Sequence, residues 1–232
     1  NGDNRSDVLL RGADGSLVSW QLNGAAMPVQ GFIGAPGANW RVDGVDDFNG
    51  DGRDDILLHN ADGTLGIWQM NGTRIEAAVS FANPGNALSV AGTGDLNADG
   101  RADILLRAAD GTLTEYLMNG TTLIQAVVIG NPGAGWQPVG IGDFNGDRHN
   151  DILLRGEDGT LMDWNTFGGT LTLVGKPGAQ TAVQSTGDFN GDGTDDILLR
   201  GFDGTITLLH MSGGVLVAVP QVSNPGNDWN IV

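Results

Sequence analysis

The chain has 232 residues, with 39 glycines, 8 prolines, no cysteine, and a formal charge of −17 from 28 acidic and 11 basic side chains. That length allows one or two domains, 40% apolar residues are enough for a core, and the glycines lack the triplet period of collagen. The acidic balance argues against nucleic acid and against anionic membrane surfaces, no apolar run reaches the ~18 residues of a membrane span, and the missing cysteines remove disulfides and thiol chemistry.

The strings NGDNRSDVLL, NGDGRDDILL, NADGRADILL, NGDRHNDILL and NGDGTDDILL begin at Asn1, Asn49, Asn97, Asn145 and Asn190, with spacings of 48, 48, 48 and 45. Other landmarks keep the same register. An Asp-Gly turn falls at Asp14, Asp62, Asp110, Asp158 and Asp203. A second turn is Asn23-Gly24, Asn71-Gly72 and Asn119-Gly120, degraded to Phe167-Gly168 and Ser212-Gly213, and a Pro-Gly loop follows at Pro36, Pro84, Pro132, Pro177 and Pro225. The sequence therefore divides into repeats 1–48, 49–96, 97–144, 145–189 and 190–232 of a single domain.

Each unit holds four segments of strand length. Taking the second as the type, strand A opens at Trp40 after a Pro-Gly loop, and strand B is the continuous apolar run from Ile56, as expected for a strand buried on both faces. Strand C starts at Leu65 after the Asp-Gly turn, and strand D at Ala77 after the Asn-Gly turn, a strong hairpin signal. No segment has the period of a helix. Four short antiparallel strands per ~48 residues make the blade of a β-propeller, so the expected fold is all-β with five blades. The first unit lacks strand A and the chain ends on Trp229-Asn230-Ile231-Val232, a strand A without a B. The expectation is that this last strand completes the first blade and closes the ring, the rival being part of a larger ring or a multimer of partial rings.

The A–B loops carry metal chemistry. Asp47, Asn49, Asp51 and Asp55 set side-chain oxygens at loop positions 1, 3, 5 and 9, Gly52 permits a sharp turn at position 6, and Arg53 offers its carbonyl at position 7. Calcium takes six to eight such hard oxygen ligands. The pattern recurs as Asp95, Asn97, Asp99, Arg101 and Asp103, and as Asp188, Asn190, Asp192, Thr194 and Asp196. The fourth loop, Asp143, Asn145, Asp147, His149 and Asp151, has Arg148 where glycine is expected, which puts that site in doubt. The first keeps Asn1, Asp3 and Asp7 without a position 1. Plain Asx turns without metal are the alternative, but like charges crowded in one loop repel unless a cation lies between them. An EF-hand is excluded, because counting from Asp47 puts Leu58 at the twelfth position, where that loop needs glutamate.

DFNGDGRDDILL and GDFNGDGTDDILL resemble the FG-GAP/VCBS repeats of integrin α-subunit propellers and of secreted bacterial proteins, and ADGTLGIWQMNG resembles the bacterial branch. The resemblance spans all five units. It implies a calcium-stabilised propeller with Ca2+ at the positions named above, and no single activity.

On the face opposite the calcium loops, strand B ends on a basic residue in every unit: Arg11, His59, Arg107, Arg155 and Arg200. Antiparallel pairing is expected to set Trp229 beside Arg11, Trp40 beside His59 and Trp136 beside Arg155. Such aromatic–basic pairs suit a glycan, or else are structural cation–π contacts. The strand-C residues Trp20, Trp68, Tyr116, Trp164 and Leu209 read as core between blades. Asp43 stands in a strand A where other units have no acid, and is expected to face the central channel; one such acid makes no catalytic pair, so no enzyme is expected. The reading is a secreted or cell-surface, lectin-like module binding a glycan, or alternatively an adhesive domain binding an extracellular protein, with no nucleic acid or membrane insertion; a monomer is favoured over an oligomer, between which the sequence does not decide.

Overall fold

A computed structural model describes residue 2, residues 7–23 and residues 26–226. The expected closing strand and Trp229 lie outside the described residues, as do Asn1 and Asp3. The architecture is all-β, the five blades of a β-propeller. The first blade shows strands B to D as β1 (Val8–Arg11), β2 (Leu17–Asn23) and β3 (Ala26–Gly34). The second is β4 (Trp40–Asp46), β5 (Asp55–Asn60), β6 (Leu65–Asn71) and β7 (Arg74–Ala82), and the third β8 (Leu88–Gly94), β9 (Asp103–Ala108), β10 (Leu113–Asn119) and β11 (Thr122–Gly130). The fourth is β12 (Trp136–Gly142), β13 (Asp151–Gly156), β14 (Leu161–Asn165) and β15 (Thr170–Gly175). In the fifth, β16 (Thr181–Gly187), β17 (Asp196–Gly201) and β18 (Ile206–Ser212) are followed by a strand D in two pieces, β19 (Val215–Ala218) and β20 (Gln221–Ser223), both paired with β18. Pro220 stands at the break, where a residue without an N–H cannot extend the ladder.

Two compact units are distinguished, one within 1–93, 100–108 and 114–128, the other within 94–99, 109–113 and 129–232. In the first, Ile56 and Leu58 of β5 pack with Leu17 and Met70, while Leu57 between them packs with Phe48, Ile104 and Leu106. Alternate side chains of one strand thus enter the cores toward the preceding and the following blade, which is why strand B is apolar throughout. In the second unit, Leu153, Leu161 and Val174 pack with Ile197, Leu199, Leu209 and Met211. No helix of the described residues is long and apolar enough to cross a membrane.

Strand A is bulged after its third residue. The register jumps between Val42 and Gly44, between Pro138 and Gly140, and between Val183 and Ser185. Asp43 is the extra residue in the second blade, and it is held by two partners. Its carboxylate accepts hydrogen bonds from Arg41 Nε at 2.6 Å and Nη2 at 3.0 Å, and lies 2.8 Å from His59 Nδ1.

Candidate metal loops and the opposite face

Each loop is folded by its own first aspartate. Asp47 Oδ1 accepts the N–H groups of Gly50 (2.7 Å) and Asp51 (3.2 Å), Oδ2 accepts that of Gly52 (2.7 Å), and Asn49 Oδ1 accepts the Asp51 N–H at 2.9 Å. Asp188 holds Gly191, Asp192 and Gly193 in the same way. In the third loop Asp99 donates its N–H to Asp95 and Asn97. The fourth loop keeps this fold: Arg148 adopts φ +71° and donates its N–H to Asp143 Oδ2 at 2.8 Å. Arginine therefore takes the left-handed turn that glycine occupies at Gly52 and Gly193, against the doubt its size and charge raise.

The loops are stitched to the blades and to each other. Phe48 and Phe144, at loop position 2, are wholly buried. The Phe48 carbonyl accepts the N–H of Gly120 and that of Phe144 accepts the N–H of Gly214, so the next blade's C–D turn rests on the loop. The carbonyl at position 1 accepts the position-8 N–H of the following loop, Ala102 to Asp47, Asn150 to Asp95, and Asp195 to Asp143.

Position 9 has two duties, one of which sequence reasoning missed. One oxygen of Asp7, Asp55, Asp103 and Asp196 accepts a strand-C N–H, from Leu22, Met70, Met118 and Met211 respectively. The signal was in the constant 15-residue separation. The other oxygen of Asp55 is buried without a hydrogen-bond partner. Burial, together with the charges of Asp51 and Asp47, raises the Asp55 carboxyl to about 7. In the fifth loop the second oxygen of Asp196 instead lies 3.1 Å from His210 Nδ1. The fourth loop departs further. Asp151 loses the strand-C bond, one oxygen accepting from Asn145 Nδ2 and the other buried without a partner. Burial and the neighbouring Asp163, Asp147 and Asp143 raise Asp151 to about 8.

Among the described residues no three acidic or histidine side chains are closed around one point. The Asp47 carboxylate is engaged on the loop N–H groups. The donor set nevertheless fits calcium in the second and fourth loops. All the oxygens are hard, the loop turns at position 6, and a buried carboxylate oxygen stands unsatisfied at position 9. Arg53, Arg101, His149 and Thr194 occupy position 7, and His149 stacks on Phe167 with ring centroids 4.3 Å apart.

On the other face the pairing register is offset by one residue from the expectation. Trp40 is opposite Asn60 and Arg41 opposite His59, and Trp136 is opposite Gly156 and Gln137 opposite Arg155. Two of the basic ends of strand B reach the Pro-Gly loops. Arg155 Nη2 donates to the Gly178 carbonyl at 2.9 Å and Arg200 Nη2 to the Gly226 carbonyl at 3.0 Å, so each pins the Pro-Gly loop of its own unit. A Cβ on Gly15 would lie 3.6 Å from Arg11 Nη2 and 3.5 Å from the Gly37 carbonyl oxygen. His59 is buried against Arg41 and Asp43.

The outer edge carries something the repeats did not announce. Val29 and Phe32 of β3, Ile124 and Val128 of β11, Leu171 and Leu173 of β15, and Val215 and Val217 of β19 are all exposed. Each is on strand D, the last strand of its sheet.

The FG-GAP-like repeat family matches residues 47–106 and 95–154. No curated protein matches the chain. Among solved structures, a chain in the crystal structure of BBS1N in complex with ARL6DN, soaked with mercury, is 13% identical with a TM-score of 0.52; the match covers 93% of this chain and 63% of that one. A chain in the crystal structure of the Mitotic Checkpoint Complex is 12% identical with a TM-score of 0.53, covering 94% of this chain and 76% of that one. At such identity the likeness is one of fold.

Proposed function

We propose, on the premise that this chain is a β-propeller of FG-GAP-like repeats, that it is a calcium-stabilised binding module working outside the cell. The observation that carries the reading is the second oxygen of Asp55, buried and unpartnered beside Asp47 and Asp51. An unpaired buried carboxylate is costly, and a divalent cation is the partner that also relieves the loop's own repulsion. Calcium would supply charge neutralisation there; Asp47, Asn49, Asp51 and Asp55 would offer it oxygens, and Phe48 and Phe144 fix the loops to the core. Extracellular calcium modules bind at roughly 0.1–1 mM, which matches calcium outside cells and suggests a secreted or surface-exposed molecule.

The binding partner we favour is a protein, docked on the apolar outer strands. Exposed apolar rows rimmed by polar residues mark interaction surfaces. The glycan reading keeps one specific support: Arg155 Nη1 is buried without a partner at the mouth of the fourth blade. Against it, Arg155 and Arg200 are engaged on Pro-Gly carbonyls, and the pairing register offsets Trp136 from Arg155. The module is read as one that binds; Asp43, held by Arg41 and His59, is assigned no catalytic part in it.

Melting the protein in calcium and in EDTA tests the metal, and a large downward shift on chelation is expected. A glycan array run in calcium tests the ligand class: no hit supports a protein partner, while a hit abolished by Trp136→Ala would restore the glycan reading.

A further inference from the structure

The second carboxylate that matters in the fourth blade is not in its loop. Asp163 lies in the middle of β14, at the strand-C position that Ile67 fills in the second blade. Ile67 and Leu208 of the fifth blade are buried there, and Asp163 is only 2% exposed, so an aspartate occupies a site that two other blades fill with hydrocarbon. The third blade also has an acid there, Glu115, but burial alone raises its carboxyl, whereas Asp163 feels the charges of Asp147 and Asp143 in its own blade's loop as well. Its Oδ1 is buried with no hydrogen-bond partner. A charge placed there with nothing to answer it carries a heavy penalty, which a bound cation would offset.

The carboxylate is aimed at the fourth loop. A Cβ built on Gly214, in the C–D turn resting on that loop, would lie 3.5 Å both from Asp163 Oδ2 and from the Cβ of Asn145. Asp163 is thus within one side-chain width of loop position 3. Next to it on β14, Asn165 donates from Nδ2 to Asp147 Oδ2 at 3.2 Å, tying the strand to position 5. The loop has adapted in step: Asp151 has given up the strand-C N–H that its counterparts hold and leaves one buried oxygen without a partner. Two unsatisfied carboxylate oxygens, from a loop and from a strand, therefore stand in the same blade beside one loop.

We propose that Asp163 supplies a fourth carboxylate, with Asp143, Asp147 and Asp151, to a cation site in the fourth loop that differs from its siblings. The second loop brings three carboxylates, Asp47, Asp51 and Asp55; the fourth brings four, which offsets the positive Arg148 and makes this the tightest site and the one most receptive to trivalent ions. The inference rests on the calcium reading above and goes beyond it in naming a ligand outside the repeat pattern.

The test compares the wild type with Asp163→Asn, Asp163→Ile and, as a control in another loop, Asp55→Asn. Asp163→Ile copies the residue with which the second blade folds, so it separates loss of a ligand from loss of packing. Calcium titration by calorimetry and terbium luminescence are read together with melting in EDTA. The expected result is that the tightest site weakens roughly tenfold or more in both Asp163 variants and persists in Asp55→Asn, in keeping with affinity set by ligand charge count. Both Asp163 variants should also melt higher than the wild type in EDTA, because the unanswered charge is gone. Wild type that binds calcium while the Asp163 variants titrate identically overturns this proposal alone. Wild type that takes up neither calcium nor terbium overturns the calcium reading and this site with it.

Discussion

The Trp164 indole occupies the space that a side chain on Gly130 would need: a Cβ there would fall 2.6 Å from Cη2. Gly34 stands in the same relation to Trp68, at 3.2 Å. The last residue of strand D is small where the next blade's strand C brings an aromatic ring, so the glycine is a seat for the neighbour. Gly130→Val should cost about 2 kcal/mol through overpacking, read as a drop in the denaturation midpoint at unchanged slope. An unaltered midpoint would mean the ring has room to move.

The fourth blade ends on such a seat, but the fifth brings no ring to it. Leu209 replaces the tryptophan, and a Cβ on Gly175 would meet only Leu216, at 3.8 Å. A cleft of about 360 Å³ lined by Gly175, Leu209 and Leu216 is the result, against about 180 Å³ beside Trp68. Leu209→Trp is expected to stabilise the protein by about 0.5–2 kcal/mol, as cavity filling commonly does. Lower stability in the variant would show that the cleft is needed open.

Arg148 holds a left-handed backbone that costs an ordinary residue about 1–2 kcal/mol. Arg148→Gly should recover about 1 kcal/mol in EDTA, part of the strain being offset by glycine's greater freedom when unfolded. The same variant removes a positive charge from the fourth loop and should bind calcium more tightly. A variant less stable than the parent would contradict the strained turn.

Two sets of aspartates act in opposite directions on pH stability. The turn residues Asp14, Asp62, Asp158 and Asp203 sit below the usual carboxylate range because Ser16, Thr64, Lys176 with Thr160, and Thr205 hydrogen-bond to them. Their contribution is present above the unfolded value and is lost as pH falls through the folded one. Asp55 and Asp151, raised to about 7 and about 8, bind protons more tightly folded than unfolded. Their contribution is complete below the unfolded carboxylate pKa of about 4 and disappears as pH climbs toward 8. In EDTA the melting temperature should therefore peak in mildly acidic solution and decline on both sides. Calcium should remove the alkaline decline, since it takes the place of the protons. A decline that persists in saturating calcium would disconnect these carboxylates from metal.

Much of this was legible from residue order. The ILL runs gave strand B because alternate side chains enter two cores, and the repeated Asp-Gly and Asn-Gly turns gave the blade's hairpins. The aromatic–basic pairs were displaced for a geometric reason. The strands around them meet Trp40 with Asn60 and Trp136 with Gly156, and one residue of slip sends a side chain to the opposite face. The hold of Arg41 and His59 on Asp43 was not legible, because a bulge inserts a residue without any signature of its own. Asp163 shares its strand-C position with Glu115 of the third blade, so the sequence does not single it out, and its nearness to Asn145 comes from the way β14 and the next blade's turn enclose the loop.

The backbone bonds from Ala102 to Asp47, Asn150 to Asp95 and Asp195 to Asp143 hand each loop's geometry to its neighbour. Ordering one loop fixes a carbonyl that positions the next, so part of the entropy of ordering is spent once for several loops. Uptake along this relay should be steeper than for independent sites, and the molecule would then respond to calcium over a narrow concentration range, as a threshold device set by the ion content of its surroundings.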